Sequence, residues 1–188
     1  MSRFSGRTVV CIASGPSLTV DDCLAVQASG LPVIVINSSW RLAPFADVLL
    51  AGDGAWWDAN AAEVTIPAHR VCCGQAAAKK HRIEYFRPIR SQWNSGMASI
   101  WYAQENGADR VILLGFDCKA PNGKRHWHGD HPKTKNPSLS MITGWAKNFA
   151  RMPVKVPVVN ASRDTAITRW PLVPLEQALP KRTEAVAA

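Results

Sequence analysis

The sequence predicts an α/β domain built on a mostly parallel sheet, and two patterns carry that expectation. Short continuous apolar runs, the mark of strands buried on both faces, alternate with amphipathic stretches. Small or hydrogen-bonding residues follow each run, as they do where the strands of a parallel sheet end at a ligand-binding edge. The 188 residues suit one domain with a sizeable core, and a composition of 47% hydrophobic and 19% charged residues excludes general disorder.

In chain order, residues 8–13 (TVVCIA) form the first expected strand, followed by the turn Ser14-Gly15-Pro16-Ser17. Thr19 caps a helix whose first turn carries Asp21 and Asp22, where the macrodipole favours carboxylates, and Gly30 closes it. Residues 32–37 and 47–51 give the second and third strands, the latter ending in Gly52-Asp53-Gly54 before a turn containing Trp56 and Trp57. Residues 63–92 carry a weaker signal: 69–73 reads as a short strand and 79–90 as a basic surface segment. Asn94-Ser95-Gly96 opens a helix that stops at Gly107, and residues 109–115 are the clearest strand of all. A polar loop then runs over residues 117–140, a length typical of functional loops. An amphipathic helix follows over 140–151 and a final strand over 154–159, which Pro157 assigns to an edge or a bulge. From Pro171 the chain is rich in Pro and Ala and reads as a fraying tail. The expectation is a single Rossmann-like three-layer domain over residues 1–170, with a long polar loop after the Gly115-Phe116-Asp117 strand, and a tail over 171–188.

No apolar run approaches the roughly 20 residues needed to cross a bilayer. The first apolar stretch alternates with Ser and Gly-Pro, so it reads as a strand rather than the core of a signal peptide. An intracellular protein with no membrane partner is therefore expected. Five cysteines without a CxxC pair argue against a disulfide framework or a zinc ribbon and for reduced, mostly buried thiols. The net charge of +8 is uneven: residues 121–188 hold eleven basic against four acidic side chains, while residues 1–60 hold three against five. Such a basic second half favours nucleotides, nucleic acid or another polyanion as partner, and equally serves as a solvated surface.

The residues that follow the strands are the candidate binding groups. Ser14, Gly15, Pro16 and Ser17 let backbone approach a ligand closely, with the N–H groups of the following helix behind them. The turn lacks the Gly-Lys-Ser/Thr of a P-loop and the spacing of GxGxxG, so a plain strand-to-helix bend is the alternative. Asn37 and Asp53 offer hydrogen bonds to a ribose or base edge, or cap the elements behind them. Asn94, Ser95 and Gly96 form a second helix start suited to a phosphate, and Gly115 and Asp117 end the clearest strand. The densest chemistry is Arg125-His126-Trp127-His128-Gly129-Asp130-His131, with three of the five histidines in six residues. Histidine suits acid/base work near neutrality, and Asp130 is placed to orient a neighbour. His126-x-His128 with Asp130 or His131 is too weak a pattern to assign a metal, because no second half-site follows. A solvated loop tip is the remaining alternative.

Taken in order, the Val10–Leu18 run containing Ser14-Gly15-Pro16-Ser17, then Asn37, Asp53, Asn94-Ser95-Gly96 and Leu113-Leu114-Gly115-Phe116-Asp117, resembles the small bacterial sialyltransferases that use CMP-sialic acid. It is also similar to the related family that contains the 6-hydroxymethylpterin diphosphokinases. With His126-Trp127-His128-Gly129-Asp130-His131-Pro132 included, the pattern over residues 8–165 resembles a family of tailed-phage and prophage proteins. The resemblance implies a nucleotide or nucleotide-sugar donor, CMP-type, held by Gly15, Pro16, Ser17, Asn37, Asp53, Asn94, Ser95 and Gly96. It implies a loop histidine as general base, His131 first and His126 second, and location in the host cytoplasm if the protein is phage-encoded. Two departures stand out: Asp53 occupies a position that is Asn in the sialyltransferases, and Cys118-Lys119-Ala120 replaces their active-site tyrosines. The function expected is a nucleotide-dependent, glycosyltransferase-like transferase; its acceptor is left open, with a nucleic acid, a modified base or another polyanion among the candidates. Alternatives are a Mg²⁺-dependent pyrophospho- or phosphotransferase using Asp53, Asp117 or Asp130, and a nucleotide-binding protein without turnover.

Overall fold

A computed structural model describes residues 2–90 and 93–180. Seven strands form one sheet in the order β5-β4-β3-β2-β1-β6-β7. They are β1 (Arg7–Ile12), β2 (Val33–Ile36), β3 (Val48–Ala51), β4 (His69–Cys72), β5 (Glu84–Tyr85), β6 (Ala108–Leu114) and β7 (Val158–Asn160). Every neighbouring pair is parallel, as short apolar strands buried on both faces require. The architecture is Rossmann-like.

Among the described residues five helices connect them, α1 (Val20–Ser29), α2 (Gly54–Asn60), α3 (Gln75–His81), α4 (Ser95–Glu105) and α5 (Leu139–Ala150), and a sixth, α6 (Leu175–Ala178), follows β7. The chain lays β1 to β5 in one direction, then returns across the sheet through α4 to place β6 on the free side of β1. Right-handed crossovers then put helices on opposite faces. Val10 and Ile12 of β1 pack with Cys23 and Val26 of α1 and with Trp56 and Trp57 of α2. Val9 and Cys11 pack with Met97, Ile100 and Tyr102 of α4 and Phe149 of α5. Alternate residues of one strand thus feed two cores, which makes three layers.

The sequence signals for caps hold. Thr19 and Asp22 form a reciprocal capping box on α1, Gly30 ends it at φ 65°, and Asn94 caps α4. Four expectations need correction. The Trp56-Trp57 turn is helix α2, and the segment read as basic surface contains α3, β5 and Arg82 in a left-handed C-cap. The last strand begins at Val158 rather than 154, and it does lie at the sheet edge. Residues 171–180 do not fray: Pro171 and Val173 exchange backbone hydrogen bonds with Asn160, and Ala178 is buried against the first core. The five thiols are unbridged, and all but Cys73 are buried. No helix among the described residues is long and apolar enough to cross a membrane.

Candidate functional site

The chain reverses its direction across the sheet between β1 and β6, so the loops after these two strands diverge at the sheet's carboxyl edge. Ligands of open α/β sheets bind at such a switch point. Here the two loops are locked together first. Asp117 accepts a hydrogen bond from the Ser17 N–H and another from the Ser17 hydroxyl, each 2.7 Å. Burial, outweighing those two bonds, raises the Asp117 carboxyl above its usual range. The Gly15 N–H donates to the Gly115 carbonyl at 2.8 Å, and a Cβ on Gly15 would lie 2.4 Å from the Asp117 Cγ. Gly115 itself sits at φ 70° with the Ala13 carbonyl against it.

These bonds correct the expectation for the opening turn. The N–H groups of Gly15, Ser17, Leu18 and Thr19 are taken by Gly115, Asp117, Gly15 and Asp22, and Pro16 has none. Arg163 closes the start of α1, donating to Asp22 at 2.6 and 2.8 Å. The anion that the cradle was expected to hold is a carboxylate of the chain itself.

Beside this lock opens a cleft of about 530 Å³. Of the predicted binding residues, Ser14, Gly15, Asn37, Asp53, Asn94, Ser95, Gly96, Gly115 and Asp117 border it, and Pro16 and Ser17 do not. Asn37 starts the 3-10 turn Asn37–Arg41 at φ 50°, and its side-chain oxygen is buried with no hydrogen-bond partner among the described residues. Asp53 precedes α2 without a side-chain capping bond, so its exposed carboxylate is not engaged as a cap. Ser95 braces the site, accepting from the Gly52 N–H at 3.0 Å. The first-turn N–H groups of Ser95 and Gly96, beyond reach of any intrahelical carbonyl, stand at the cleft. Phe116 with Ile142, Trp145 and Phe149 of α5 gives an apolar wall. Asn160 and Ser162 are buried behind it: Ser162 Oγ accepts from the Phe116 N–H at 2.8 Å, and the Ser162 N–H donates to Asn160 Oδ1.

The polar loop folds over the same edge. The Trp127 backbone N–H donates to the Ser14 carbonyl at 3.1 Å, and Ser14 Oγ lies 3.3 Å from His126 Nδ1. The opening turn therefore seats the histidine loop. Arg125 binds both oxygens of Asp130 at 2.9 Å, and Asn136 exchanges hydrogen bonds with the His131 backbone. Lys133 and Arg41 both reach Glu63, tying the loop to the 3-10 turn Ala61–Glu63. Asp130 is thus a brace for Arg125, and the orienting role expected for it falls to Ser14. His126 and His131 border the cleft. Burial, then the charges of His131 and His128, pulls His126 down to about 4. A base that weak is poorly matched to proton abstraction near pH 7, which displaces His126 as a general-base candidate. Burial, with His131 and Arg41 behind it, brings His128 to about 4, and burial also lowers His131.

His128, assigned no catalytic role from the sequence, and the α5 aromatic wall are what the linear pattern missed. The amphipathicity of α5 was visible, but not which loop it would face. No family model matches the chain, and no curated protein or solved structure matches it. Fold and site together define a parallel α/β domain with a mostly apolar cleft, bordered by hydrogen-bonding residues, at its switch point.

Proposed function

We propose that the protein binds a nucleotide-type phosphorylated ligand in this cleft and transfers a group from it, as a glycosyltransferase-like enzyme with a CMP-type nucleotide-sugar donor. The observation that carries this reading is the Asn37 side-chain oxygen, buried at the cleft wall without a hydrogen-bond partner among the described residues. A buried acceptor left unpaired costs about 1–3 kcal/mol, and a ribose hydroxyl or the exocyclic amine of a base relieves that cost. The α4 N-terminus offers N–H groups and a positive dipole end to a phosphate. The aromatic wall suits a ring. The acceptor hydroxyl loses its proton to His131 as its oxygen takes the transferred group, and the nucleotide leaves with its phosphate. The cationic second half of the chain supports an anionic acceptor. The Mg²⁺-dependent pyrophosphoryl reading is weaker, because Asp117 and Asp130 are engaged by Ser17 and Arg125.

The test is thermal denaturation of chelator-treated protein with CMP, UDP and ATP, nucleotide sugars and pterins, each with and without Mg²⁺. A metal-independent rise with a CMP- or UDP-type ligand is expected. Asn37→Gly, which suits the left-handed backbone at φ 50°, keeps the unliganded stability and loses roughly tenfold in affinity. His131→Ala abolishes transfer while donor binding persists. If no nucleotide changes the melting temperature, the reading is wrong.

A further inference from the structure

The loop brings its three histidines together in a way the transfer reading does not require. His126, His128 and His131 each offer a ring nitrogen, and these atoms all lie within 4.8 Å of one another. The ring centroids are 4.7, 4.8 and 5.2 Å apart. Gly129, at φ 84°, makes the turn that folds the run back on itself, and the Gly129 N–H closes it on the His126 carbonyl. His126 is only 8% exposed, yet its Nε2 has no hydrogen-bond partner among the described residues, and the same holds for Nε2 of His128. Two buried ring nitrogens left without partners in one cluster form an unfavourable arrangement that a shared partner would relieve.

We propose that His126, His128 and His131 form a three-imidazole site for one divalent transition-metal ion of the zinc type, with an open coordination position toward the cleft. Burial favours the neutral imidazoles, which is the ligating form. An anion would instead need protonated imidazoles. The neighbouring cations are also engaged, Arg41 with Glu63 and Arg125 with Asp130. Three nitrogen ligands and no carboxylate select zinc, cobalt, nickel or copper over magnesium or calcium. Ligand atoms of a tetrahedral zinc with Zn–N of about 2.0 Å stand about 3.3 Å apart, so side-chain rotations that draw the rings together complete the site. Ser14 supplies the supporting contact: with His126 Nδ1–H donating to its Oγ, the Nε2 lone pair is free for the ion. Three protein nitrogens leave a fourth position for water or a ligand oxygen, and the two histidines that border the cleft direct it there. An ion held there would supply a bound water poised to take the acceptor's proton, and His131 would then serve as a ligand rather than as the base.

The experiment uses the full chain, stripped with chelator and titrated with Co²⁺, then with Zn²⁺. One equivalent of Co²⁺ is expected, with the intense visible absorption of a four- or five-coordinate ion, displaced by Zn²⁺ and insensitive to Mg²⁺. Zn²⁺ raises the melting temperature of the wild type. His128→Gln and His131→Gln each weaken binding at least tenfold, whereas the double change His69→Ala/His81→Ala leaves it intact. Should His126→Ala fail to fold, the two half-buried histidines carry the test. Absence of a stoichiometric Co²⁺ complex overturns the proposal, as does a complex that survives the combined His128→Gln/His131→Gln change. Metal binding is read without nucleotide, and nucleotide binding on stripped protein, so either proposal can fail alone.

Discussion

Replacing Asp117 tests whether the switch point is held by a carboxylate of the chain itself. Asp117→Ala removes both 2.7 Å bonds to Ser17. Hydrogen bonds to a charged group contribute about 1.5–3 kcal/mol each, and the unfavourable burial of that carboxylate offsets part of the sum. The expected net loss is about 3 kcal/mol, or roughly 6–12 °C in melting temperature for a chain of this size. Asp117→Asn keeps the volume and one acceptor for the Ser17 N–H, so it should stay within about 1 kcal/mol of the wild type at neutral pH. The two proteins should then diverge on acidification. Because the folded carboxyl titrates above its unfolded value of about 3.9, its contribution is complete below that value and is lost as pH rises through the folded one. The wild type therefore gains on Asp117→Asn as the pH falls from neutrality. Urea denaturation of all three proteins across that range reads both effects. The reasoning fails if Asp117→Ala is neutral, or if Asp117→Asn is as damaging as Asp117→Ala.

Three further outcomes follow from the same contacts. Gly15→Ala should destabilise by more than 1 kcal/mol, and Asp117→Ala should relieve only part of that loss, since the Gly115 carbonyl also stands 2.5 Å from the new Cβ; a double-mutant cycle by urea denaturation measures the coupling. Arg163→Ala strips a nearly buried Asp22 of its two guanidinium bonds but leaves the Thr19 contacts. A loss of about 1–2 kcal/mol, read by thermal melting, is expected. Ser14→Ala should weaken Co²⁺ binding by about 10–100-fold with no change in stoichiometry, measured by the same titration.

Local chemistry made much of the fold legible. The runs at residues 8–13, 32–37, 47–51 and 109–115 carry their own burial signal, and Thr19, Gly30 and Asn94 mark helix ends through side-chain and backbone preferences that need no tertiary context. The two-residue strand β5 has no such signal, because its pairing with Val71 and Cys72 is decided by the sheet. At the site, sequence could place residues on the carboxyl edge but not say which would pair with each other. Ser17 and Asp117, a hundred positions apart, both looked like ligand contacts and turn out to be partners. His126-x-His128 alone assigns no metal, because the turn through Gly129 that brings His131 beside the other two rings cannot be read from the run.

The position of β1 in the middle of the sheet also has a consequence for how the chain comes into being. Val9, Val10, Cys11 and Ile12 lie between β2, which follows soon after, and β6, whose residues 108–114 are made about a hundred residues later. On the ribosome the strands β1 to β5 emerge while one side of β1 still presents unpaired amides and carbonyls. The apolar surface later covered by α4 is then bare. An open, hydrophobic, parallel edge of this kind invites pairing with other chains. The return crossover is therefore the slow and hazardous event of assembly, because a long loop must close before any contact rewards it. Fragments ending before β6 should collect as aggregates, and the cleft cannot be complete until the histidine loop and α5, from the last third of the chain, have docked.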